Sequence, residues 1–211
     1  MLRKVTGLDI YDLYATQLPE IVAEKPLLPE GHRLIRLEAN DDLSACDSQL
    51  LGDIDAHSGS GASVVIAHGG CIYAIARSNV VLSQLQIERH ASHVDSPIPM
   101  TLQLGERDAF LSFLYTTPDA RRGGWAKKLV ALVCADLASR GHLRCVCHVR
   151  STNVLSIRTF RALGWKRVGM LVATTGKKFV GLFRVAMSPL PALEICARPD
   201  QQPRNRDALS R

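Results

Sequence analysis

One stretch near the middle of the chain combines side chains and backbone freedom suited to binding an anion. It reads TTPDARRGGWAKKLV over residues 116–130 and supplies four cations and two glycines: Arg121, Arg122, Lys127, Lys128, Gly123 and Gly124. The first turn of a helix leaves backbone N–H groups without partners, and the helix dipole adds positive potential there. Glycines let a phosphate approach the backbone, and the cations add charge-assisted hydrogen bonds. The stretch therefore predicts a diphosphate site at the start of a helix.

The same stretch differs from two common nucleotide-binding motifs. A Walker loop needs Gly-Lys followed by Ser or Thr, and no such run follows four residues after a glycine here. The stretch also lacks the dinucleotide motif G-x-G-x-x-G. These differences disfavour nucleoside triphosphate hydrolysis and dinucleotide-dependent oxidoreduction.

The residues around this stretch predict the elements that would position it. AFLSFLYT, residues 109–116, has the composition of a buried strand, and apolar residues recur at helical spacing from Trp125 to Ser139. Gly141 supplies a stop for that helix. The sequence then predicts a strand at 143–149 and a second helix at 153–164 that is closed by a glycine. A final hairpin around TGKK is predicted, with strands at 167–174 and 178–188.

The first hundred residues give weaker patterns. Residues 8–18, LDIYDLYATQL, are predicted to form a short amphipathic helix ended by Pro19. The further predictions, in chain order, are a strand at 32–39, a helix at 40–51, a loop at 52–63 and two strands at 63–78 about the turn His68-Gly69-Gly70. Residues 80–103 are ambiguous, and we assign part of them to helix.

Length and composition indicate one folded domain. The chain has 211 residues, 46% of them apolar, which is enough for a core. No run of 18 apolar residues occurs, so neither a membrane span nor a signal peptide is predicted. The six cysteines contain no C-x-x-C pair, which favours a reduced, cytoplasmic protein. We expect an N-terminal helical arm at 1–32, the domain at 33–190 and a polar, disordered tail at 191–211.

The charges are unevenly distributed along the chain, whose net charge is +6. Residues 121–167 hold 11 Lys and Arg against one Asp or Glu, whereas residues 1–120 hold 8 against 16. Such a basic block can meet nucleic acid, a membrane surface or a phosphorylated cofactor. Charge alone does not choose among these partners, so the choice depends on the motifs.

Three blocks of the sequence resemble the GNAT family of N-acetyltransferases. TTPDARRGGWAKKL resembles the family's acetyl-CoA signature, and its core from Arg121 to Ala126 matches R-x-x-G-x-A. LRCVCHVRSTN is similar to the family's fifth strand and the Asn after it, and NVLSIRTFRALGWKRVG resembles the segment N-x-x-S-x-x-x-Y-x-x-L-G-F. Order and spacing agree over about 60 residues. RLIRLEANDDL also resembles the first strand and helix, so the resemblance extends over residues 33–187.

The resemblance implies a fold and a cosubstrate. The fold is mixed α/β (α+β), with a mostly antiparallel twisted sheet of about seven strands that is flanked by helices and splayed between strands four and five. The cosubstrate is acetyl-CoA, without a metal. Its pyrophosphate would bind the Gly-rich loop, and its pantetheine arm would bond the backbone of the fourth strand and polarise the thioester there. The implied binding residues are Leu114, Tyr115, Thr116, Arg121, Arg122, Gly123, Gly124, Trp125, Ala126, Asn153, Ser156 and Phe160.

The resemblance also raises a question about the catalytic acid. The family's usual Tyr, which protonates the departing thiolate, corresponds to Phe160 in this sequence. Tyr115 or Ser156 could substitute for it, or solvent could suffice, because thiol pKa values lie close to 8.5. Asn153 equally fits the N-cap of the helix that it precedes, with Ser156 in the first turn.

A base or a water chain must deprotonate the acceptor amine. The candidate bases are His148, Glu106 and Asp108. His57, with Asp53 and Asp55, could receive a cationic amine, or the loop that carries them is simply solvated. Cys145 and Cys147 share a strand face without a matching ligand pair, so we expect them to pack in the core.

The sequence thus favours an N-acetyltransferase that acts by direct attack of a primary amine on acetyl-CoA. Two alternatives stay open: a non-catalytic acyl-CoA-binding protein, motivated by Phe160, and a nucleic-acid-associated acetyltransferase, motivated by the basic block. A homodimer is possible for the fold. Neither the acceptor nor the acyl chain has a signature in this sequence.

Overall fold

The chain folds around a large central sheet. The computed structural model describes residues 7–18, 26–39, 41, 43, 46–59, 61–94, 99–174, 179–184 and 195–197. Its strands are β1 (Leu8–Gln17), β2 (His32–Leu37), β3 (Cys71–Arg77), β4 (Val80–Arg89), β5 (Ala91–Val94), β6 (Met100–Gln103), β7 (Asp108–Thr116), β8 (Arg144–Arg150), β9 (Lys166–Thr174), β10 (Phe179–Arg184) and β11 (Ile195–Ala197). Its helices are α1 (Ser48–Asp55), α2 (Ala62–Ala67), α3 (Trp125–Ser139) and α4 (Val154–Ala162).

Eight of these strands form one sheet, in the order β10, β9, β1, β8, β7, β4, β3 and β2. β7 and β8 are parallel, and the other neighbouring pairs in this sheet are antiparallel. A second sheet has the order β11, β6 and β5. The predicted mixed α/β fold, with a large and mostly antiparallel sheet flanked by helices, is therefore confirmed.

The parallel strands β7 and β8 pair along only part of their length. The pairing covers four residues on each strand, from Asp108 opposite Arg144 to Leu111 opposite Cys147. β7 continues to Thr116 and β8 to Arg150, beyond the last pair. The sheet is thus open between these two strands, which are the fourth and fifth strands of the GNAT resemblance. We call this opening the cleft.

A β-bulge in β7 lies at the start of the cleft. On β4, Gln84 stands opposite Tyr115 and Gln86 opposite Ser112, so β7 carries one extra residue over this interval. Phe113, inside the interval, has a left-handed backbone with φ of 49°. A bulge bends its strand and interrupts the ladder. The bulge therefore directs the second half of β7 away from the regular path of the sheet.

The two faces of the large sheet are covered differently. One face, which we call the α3 face, packs against α3 and α4, with Tyr14, Cys147, Leu129 and Phe160 in its core. The opposite face, which we call the α1 face, has two covers. Helices α1 and α2 lie over β3 and its neighbours, and the second sheet lies over β1, β7, β8 and β9. The side chains of each central strand are thus divided between the two faces and are buried on both.

The prediction of a helix at residues 8–18 is wrong, because these residues form β1 in the interior of the sheet. β1 is antiparallel to β8 on one side and to β9 on the other. Tyr11, Leu13 and Ala15 belong to the core of the α1 face, whereas Tyr14 belongs to that of the α3 face. A strand that is buried on both faces carries apolar residues at almost every position, so its sequence also fits a helical period. The helical arm predicted at 1–32 is therefore wrong at Leu8–Gln17, while Pro19 lies outside the described residues.

The helices on the α1 face also differ from the predictions. α1 begins at Ser48 rather than at residue 40, because the Asp47 side chain accepts hydrogen bonds from the N–H groups of Gln49 and Leu50. It continues to Asp55, into the predicted loop at 52–63. The predicted strand before the turn at 68–70 is helix α2 instead. The Asp55 carboxylate accepts a hydrogen bond from the Ala62 N–H (2.6 Å), which starts that helix.

Two further predictions are corrected by strand pairing. The described part of residues 80–103, which we had assigned partly to helix, forms β4, β5 and β6. Of the tail predicted to be disordered at 191–211, Ile195–Ala197 form β11 and pair with β6. Both corrections have one cause: these short strands are stabilised by partners far away in the sequence. Residues 198–211 lie outside the described ranges.

Local signals in the second half of the chain are confirmed. α3 has the predicted bounds, and Gly141 after it has a left-handed φ of 86°. α4 follows β8, and Gly164 after it has a φ of 79°. β9 and β10 pair as the predicted final hairpin, and residues 175–178 between them are outside the described part. The order of elements therefore agrees with the resemblance from β7 onward.

The closed end of the cleft is held by a buried ion pair, which yields a stability prediction. Arg144 and Asp108 form a hydrogen-bonded ion pair with side chains only 13% and 7% exposed. Arg144→Met leaves the carboxylate buried without its cation, and we expect a loss of about 3–5 kcal/mol in the free energy of unfolding. Arg36→Met breaks more exposed ion pairs with Glu38 and Asp136, and each of these should contribute at most about 1 kcal/mol. Urea unfolding of both variants measures the difference, and equal small losses would contradict it.

Candidate functional site

The loop between β7 and α3 has the backbone geometry of an anion site. A 3-10 turn at Pro118–Ala120 leads to Gly124, which is the N-cap of α3 and has a left-handed φ of 74°. No side chain caps this end of the helix. A Cβ on Gly123 would lie 2.6 Å from the Trp125 indole nitrogen and 3.2 Å from the Ala120 oxygen. The two glycines are therefore needed for the loop's path, and the first-turn N–H groups of α3 are left for a ligand.

Cationic and aromatic side chains surround this helix start. Arg121 and Arg122 are exposed. Arg121 Nε donates a hydrogen bond to the backbone carbonyl oxygen of Thr116 (3.3 Å). The Trp125 ring stacks on His32, with centroids 4.7 Å apart, and Lys128 Nζ lies 5.1 Å from the same ring. Arg121 is thus tied to the end of β7 beside the cleft. The loop from Arg121 to Ala126 brings together the groups that the sequence predicts for a pyrophosphate.

The three β7 residues predicted to bind pantetheine lie beyond the bulge. Leu114 packs against the core of the α3 face. The Tyr115 ring stacks on His57 with centroids 3.8 Å apart. Ser83 Oγ donates a hydrogen bond to the backbone carbonyl oxygen of Tyr115 (2.8 Å). Ser83 Oγ is also 2.9 Å from Thr116 Oγ1. This segment is therefore anchored to β4 and α1 along the edge of the cleft.

On the other side of the cleft, Asn153 caps α4. Its side-chain oxygen accepts a hydrogen bond from the Ser156 N–H (3.2 Å), as the capping interpretation requires. The cap uses only the side-chain oxygen of Asn153, so the side-chain NH₂ group can still donate hydrogen bonds to a ligand. Ser156, in the first turn of α4, is half-buried. Cosubstrate contact by these two residues stays a prediction.

Phe160, at the position of the family's Tyr, is a core residue. It is 2% exposed, and its ring lies 4.9 Å from that of Trp165 and 6.4 Å from that of Tyr14, centroid to centroid. The Tyr14 hydroxyl is buried and has no hydrogen-bond partner within the described part of the chain. Phe160 therefore serves to pack the core, and the phenol that stacks on its ring is that of Tyr14 on β1. Sequence patterns contain no signal for Tyr14, because the residues of β1 also fit a helical period.

His148 lies at the opening of the cleft. It is the first residue of β8 beyond the last pair with β7. Its ring lies 5.3 Å from that of Tyr11 and 5.5 Å from that of Phe110. Its Nδ1 is buried and has no hydrogen-bond partner among the described residues, and burial lowers the pKa of His148 to about 4. The imidazole is therefore neutral at physiological pH and keeps a free nitrogen lone pair or N–H.

Two further polar groups lie at this site, and sequence reasoning predicted a role for neither. Ser112, beside the bulge, donates a hydrogen bond to the Glu88 carboxylate (3.0 Å). Arg150, the last residue of β8, donates from Nε and Nη2 to the Tyr11 hydroxyl, at 3.1 and 2.8 Å. These contacts depend on strand register, which the sequence did not supply.

The other candidate bases lie elsewhere. Asp108 is ion-paired with Arg144 at the closed end, and it also accepts a hydrogen bond from the Gly105 N–H (3.1 Å). Glu106 is exposed in the turn before β7, at the same end. The two carboxylates are thus separated from the bulge by the paired segment of β7. The structure does not bring them together with His148.

The acidic segment around His57 is partly structural. Asp55 caps α2, and Asp53 accepts a hydrogen bond from the Val81 N–H (3.3 Å). Asp53 and His57 line a cavity of about 450 Å³ beside the start of α3, together with His32, Arg77, Asp119 and Trp125. The interpretation of this segment as a solvated loop is therefore wrong, because α1 and its cap order it.

The predicted packing role of the cysteine pair is confirmed. Cys145 and Cys147 are buried in the core of the α3 face, and burial raises the pKa of both thiols well above the ordinary value. Protonated, buried thiols are poor nucleophiles. Within the described residues, no group of three or more His, Cys, Asp or Glu side chains is arranged to hold a metal ion.

Comparisons with known proteins agree with this geometry. Residues 101–172 match the model of the family described as FR47-like protein. This match extends from β6 to β9 and includes β7 and β8, the two strands that border the cleft. No protein with a curated description matches the chain. In the described part of the chain, no helix has the length and apolar character needed to cross a membrane.

Several solved structures share the fold at low sequence identity. A putative GNAT-family acetyltransferase from Novosphingobium aromaticivorans is 17% identical, with a TM-score of 0.52, over 79% of this chain and 63% of that one. A tandem GNAT protein from the clavulanic acid biosynthesis pathway is 12% identical, with a TM-score of 0.52, over 82% and 57%. A GCN5-related N-acetyltransferase from Sphaerobacter thermophilus is 12% identical, with a TM-score of 0.51, over 85% and 56%.

The chain therefore spans less than two thirds of the length of these three structures. At such identities the likeness concerns the fold. The FR47-like match over residues 101–172 and the shared fold nevertheless point to the same group of proteins. The fold and the FR47-like match thus agree with the resemblance to the GNAT family of N-acetyltransferases that three blocks of the sequence show.

Proposed function

We propose that this protein is an N-acyltransferase that moves an acetyl group from acetyl-CoA to an amine. One observation carries the proposal: the cleft between β7 and β8 opens at the bulge, and β7 leads directly into the uncapped start of α3. A thioester attached to a diphosphate needs both an extended channel and an anion site. These two features are adjacent in this chain.

The cosubstrate would be held mainly by backbone groups. Its pyrophosphate fits the first turn of α3, where Arg121 adds a charge-assisted bond and Gly123 and Gly124 allow close approach. Its pantetheine arm fits the edge of β7 from Leu114 to Thr116, because β8 does not pair with this part of the strand. The carbonyl oxygens of Tyr115 and Thr116 each accept one side-chain hydrogen bond and keep a second lone pair for a ligand. Asn153 and Ser156 border the other side, at the start of α4.

The reaction needs no covalent enzyme intermediate. The amine nitrogen attacks the thioester carbonyl carbon, a C–N bond forms, and the C–S bond breaks to release CoA as a thiolate. The proton lost by the amine passes to His148, whose neutral ring can accept it. The thiolate takes a proton from solvent, because Phe160 has none to give and thiol pKa values lie near 8.5.

A second candidate is an acyl-CoA-binding protein without turnover. The observation that favours it is the burial of Phe160 at the position of the family's acid. Detectable transfer by the unmodified protein to any amine would exclude it. Saturable acetyl-CoA binding without transfer to a broad amine panel would favour it over the first proposal.

Binding of the cosubstrate tests the role of the loop. Arg121→Glu places a carboxylate beside the pyrophosphate, and we expect the Kd for acetyl-CoA to rise roughly ten- to a hundredfold, as for loss of a charged hydrogen bond. Arg161→Glu, at the exposed C-terminal end of α4, is the matched control and should leave the Kd unchanged. Titration calorimetry measures both variants. An unaltered Kd in Arg121→Glu would remove the pyrophosphate assignment.

Transfer rates test the role of His148. His148→Gln keeps a polar side chain of similar size but cannot take up the proton, so we expect kcat to fall by roughly 10²- to 10⁴-fold. The Kd for acetyl-CoA should stay the same, because His148 lies on the α1 face. His68→Gln, at the exposed C-cap of α2, serves as the control. If kcat is unchanged in His148→Gln, the amine loses its proton by another route.

The low pKa of His148 has a pH-dependent consequence for stability. An unfolded chain protonates this histidine near pH 6.5, whereas the folded protein does so near pH 4. Between these values the unfolded state binds more protons, so the free energy of unfolding should fall as the pH is lowered from 6.5 to 4. His148→Gln should show a weaker fall. Urea unfolding at several pH values, with an NMR titration of the ring, measures this, and a folded pKa near 6.5 would contradict it.

A further inference from the structure

We propose that the acceptor carries a carboxylate close to its amine, and that Arg150 binds this carboxylate. The inference rests on the proposed function and names its substrate class. Arg150 ends β8, two residues after His148 and therefore on the same face of the strand. By strand geometry the two Cα atoms are about 6.6 Å apart. The two side chains are thus neighbours along one wall of the cleft.

The guanidinium of Arg150 is held in place by a neutral group. Tyr11 is the cross-strand partner of Arg150, and its hydroxyl accepts hydrogen bonds from Nε (3.1 Å) and Nη2 (2.8 Å). The guanidinium carbon also lies 5.4 Å from the centroid of the Tyr11 ring. The same ring contacts His148. Tyr11 therefore positions the cation and the candidate base together.

The positive charge of Arg150 is not balanced by the described part of the chain. Arg150 is half-buried, and none of its contacts there is with a carboxylate. By contrast, Arg144 on the same strand pairs with Asp108, and Arg167 on β9 pairs with Asp12 (2.7 Å). A partly desolvated cation is stabilised by an anion rather than by a phenol. The arrangement therefore favours an anionic group on a ligand.

Three N–H donors of Arg150 are left for that group. A guanidinium has five, and two of them bond the Tyr11 hydroxyl. The remaining donors suit a carboxylate, which guanidinium groups bind through paired hydrogen bonds. Since Tyr11 already restricts the side chain, little conformational entropy is lost on binding.

The anion is not expected to be a phosphate of the cosubstrate. Cys147 and Val149 alternate with His148 and Arg150 along β8, and they belong to the core of the α3 face. Arg150 therefore points to the α1 face, away from the side on which α3 lies. The pyrophosphate loop is at the start of α3. An acceptor that approaches from the α1 face would place its amine at His148 and its carboxylate at Arg150, as an amino acid can.

Matched acceptor pairs test this proposal: glycine with glycinamide, and phenylalanine with phenylalaninamide. We expect the unmodified protein to favour the acids in kcat/KM. In Arg150→Gln, the KM for the acids should rise roughly ten- to a hundredfold, the cost of one charged hydrogen-bonded contact. KM for the amides and the Kd for acetyl-CoA should not change. Arg150→Lys keeps the positive charge but not the paired donors of the guanidinium, so its KM for the acids should lie between those of the unmodified protein and Arg150→Gln.

Arg158→Gln, on the exposed side of α4, is the control for a general effect of charge. Equal use of acids and amides by the unmodified protein, or an unchanged preference in Arg150→Gln, would overturn the proposal. If no amine is acetylated, the proposed function fails, and binding decides the inference separately. Calorimetry with CoA present then compares N-acetylglycine with N-acetylglycinamide. Binding of the acid alone, lost in Arg150→Gln, supports the carboxylate site, and equal binding of both overturns it.

Discussion

The interruption of hydrogen bonding between β7 and β8 is the constraint on which the rest of the structure depends. Backbone N–H and C=O groups inside a protein need partners. β7 and β8 bond each other for four residues and then separate, so beyond Leu111 and Cys147 the backbone groups that face the opening need other partners. The side chains of Ser83 and Arg121 bond two of the β7 carbonyl oxygens there. This opening is the proposed binding channel. The bulge at Phe113 makes the interruption a property of the backbone rather than of one side chain.

The two ends of this channel are stabilised by different kinds of interaction. At the closed end, the buried pair of Arg144 and Asp108 holds the strands together. At the open end, Arg121 bonds the last residue of β7 and continues into the start of α3. The Arg121 side chain therefore links the loop to the end of the strand. The helix dipole and the unpaired N–H groups then act at a defined distance from the bulge.

Burial separates the roles of the aromatic and titratable residues around the cleft. Phe160 fills the core between Tyr14 and Trp165, where a hydroxyl would need a partner. His148, on the opposite face, stays neutral because its charged form would be poorly solvated. In the proposed reaction, His148 is a neutral proton acceptor at the cleft, whereas Phe160 supplies no proton to the leaving group. A good leaving group such as a thiolate makes this asymmetry compatible with direct transfer.

The sequence by itself determined the part of the molecule from β7 onward. Glycine conformation, helical periodicity and capping act within a few residues, so α3, its glycine loop and α4 could be predicted from local patterns. Only the tertiary structure decided that Leu8–Gln17 lie between β8 and β9, and that Arg150 meets Tyr11. Strand pairing joins residues far apart in the chain, and their register depends on the whole sheet rather than on either segment. For that reason the loop proposed to hold the cosubstrate was predictable from sequence, whereas the contacts of the residues proposed to face the acceptor were not.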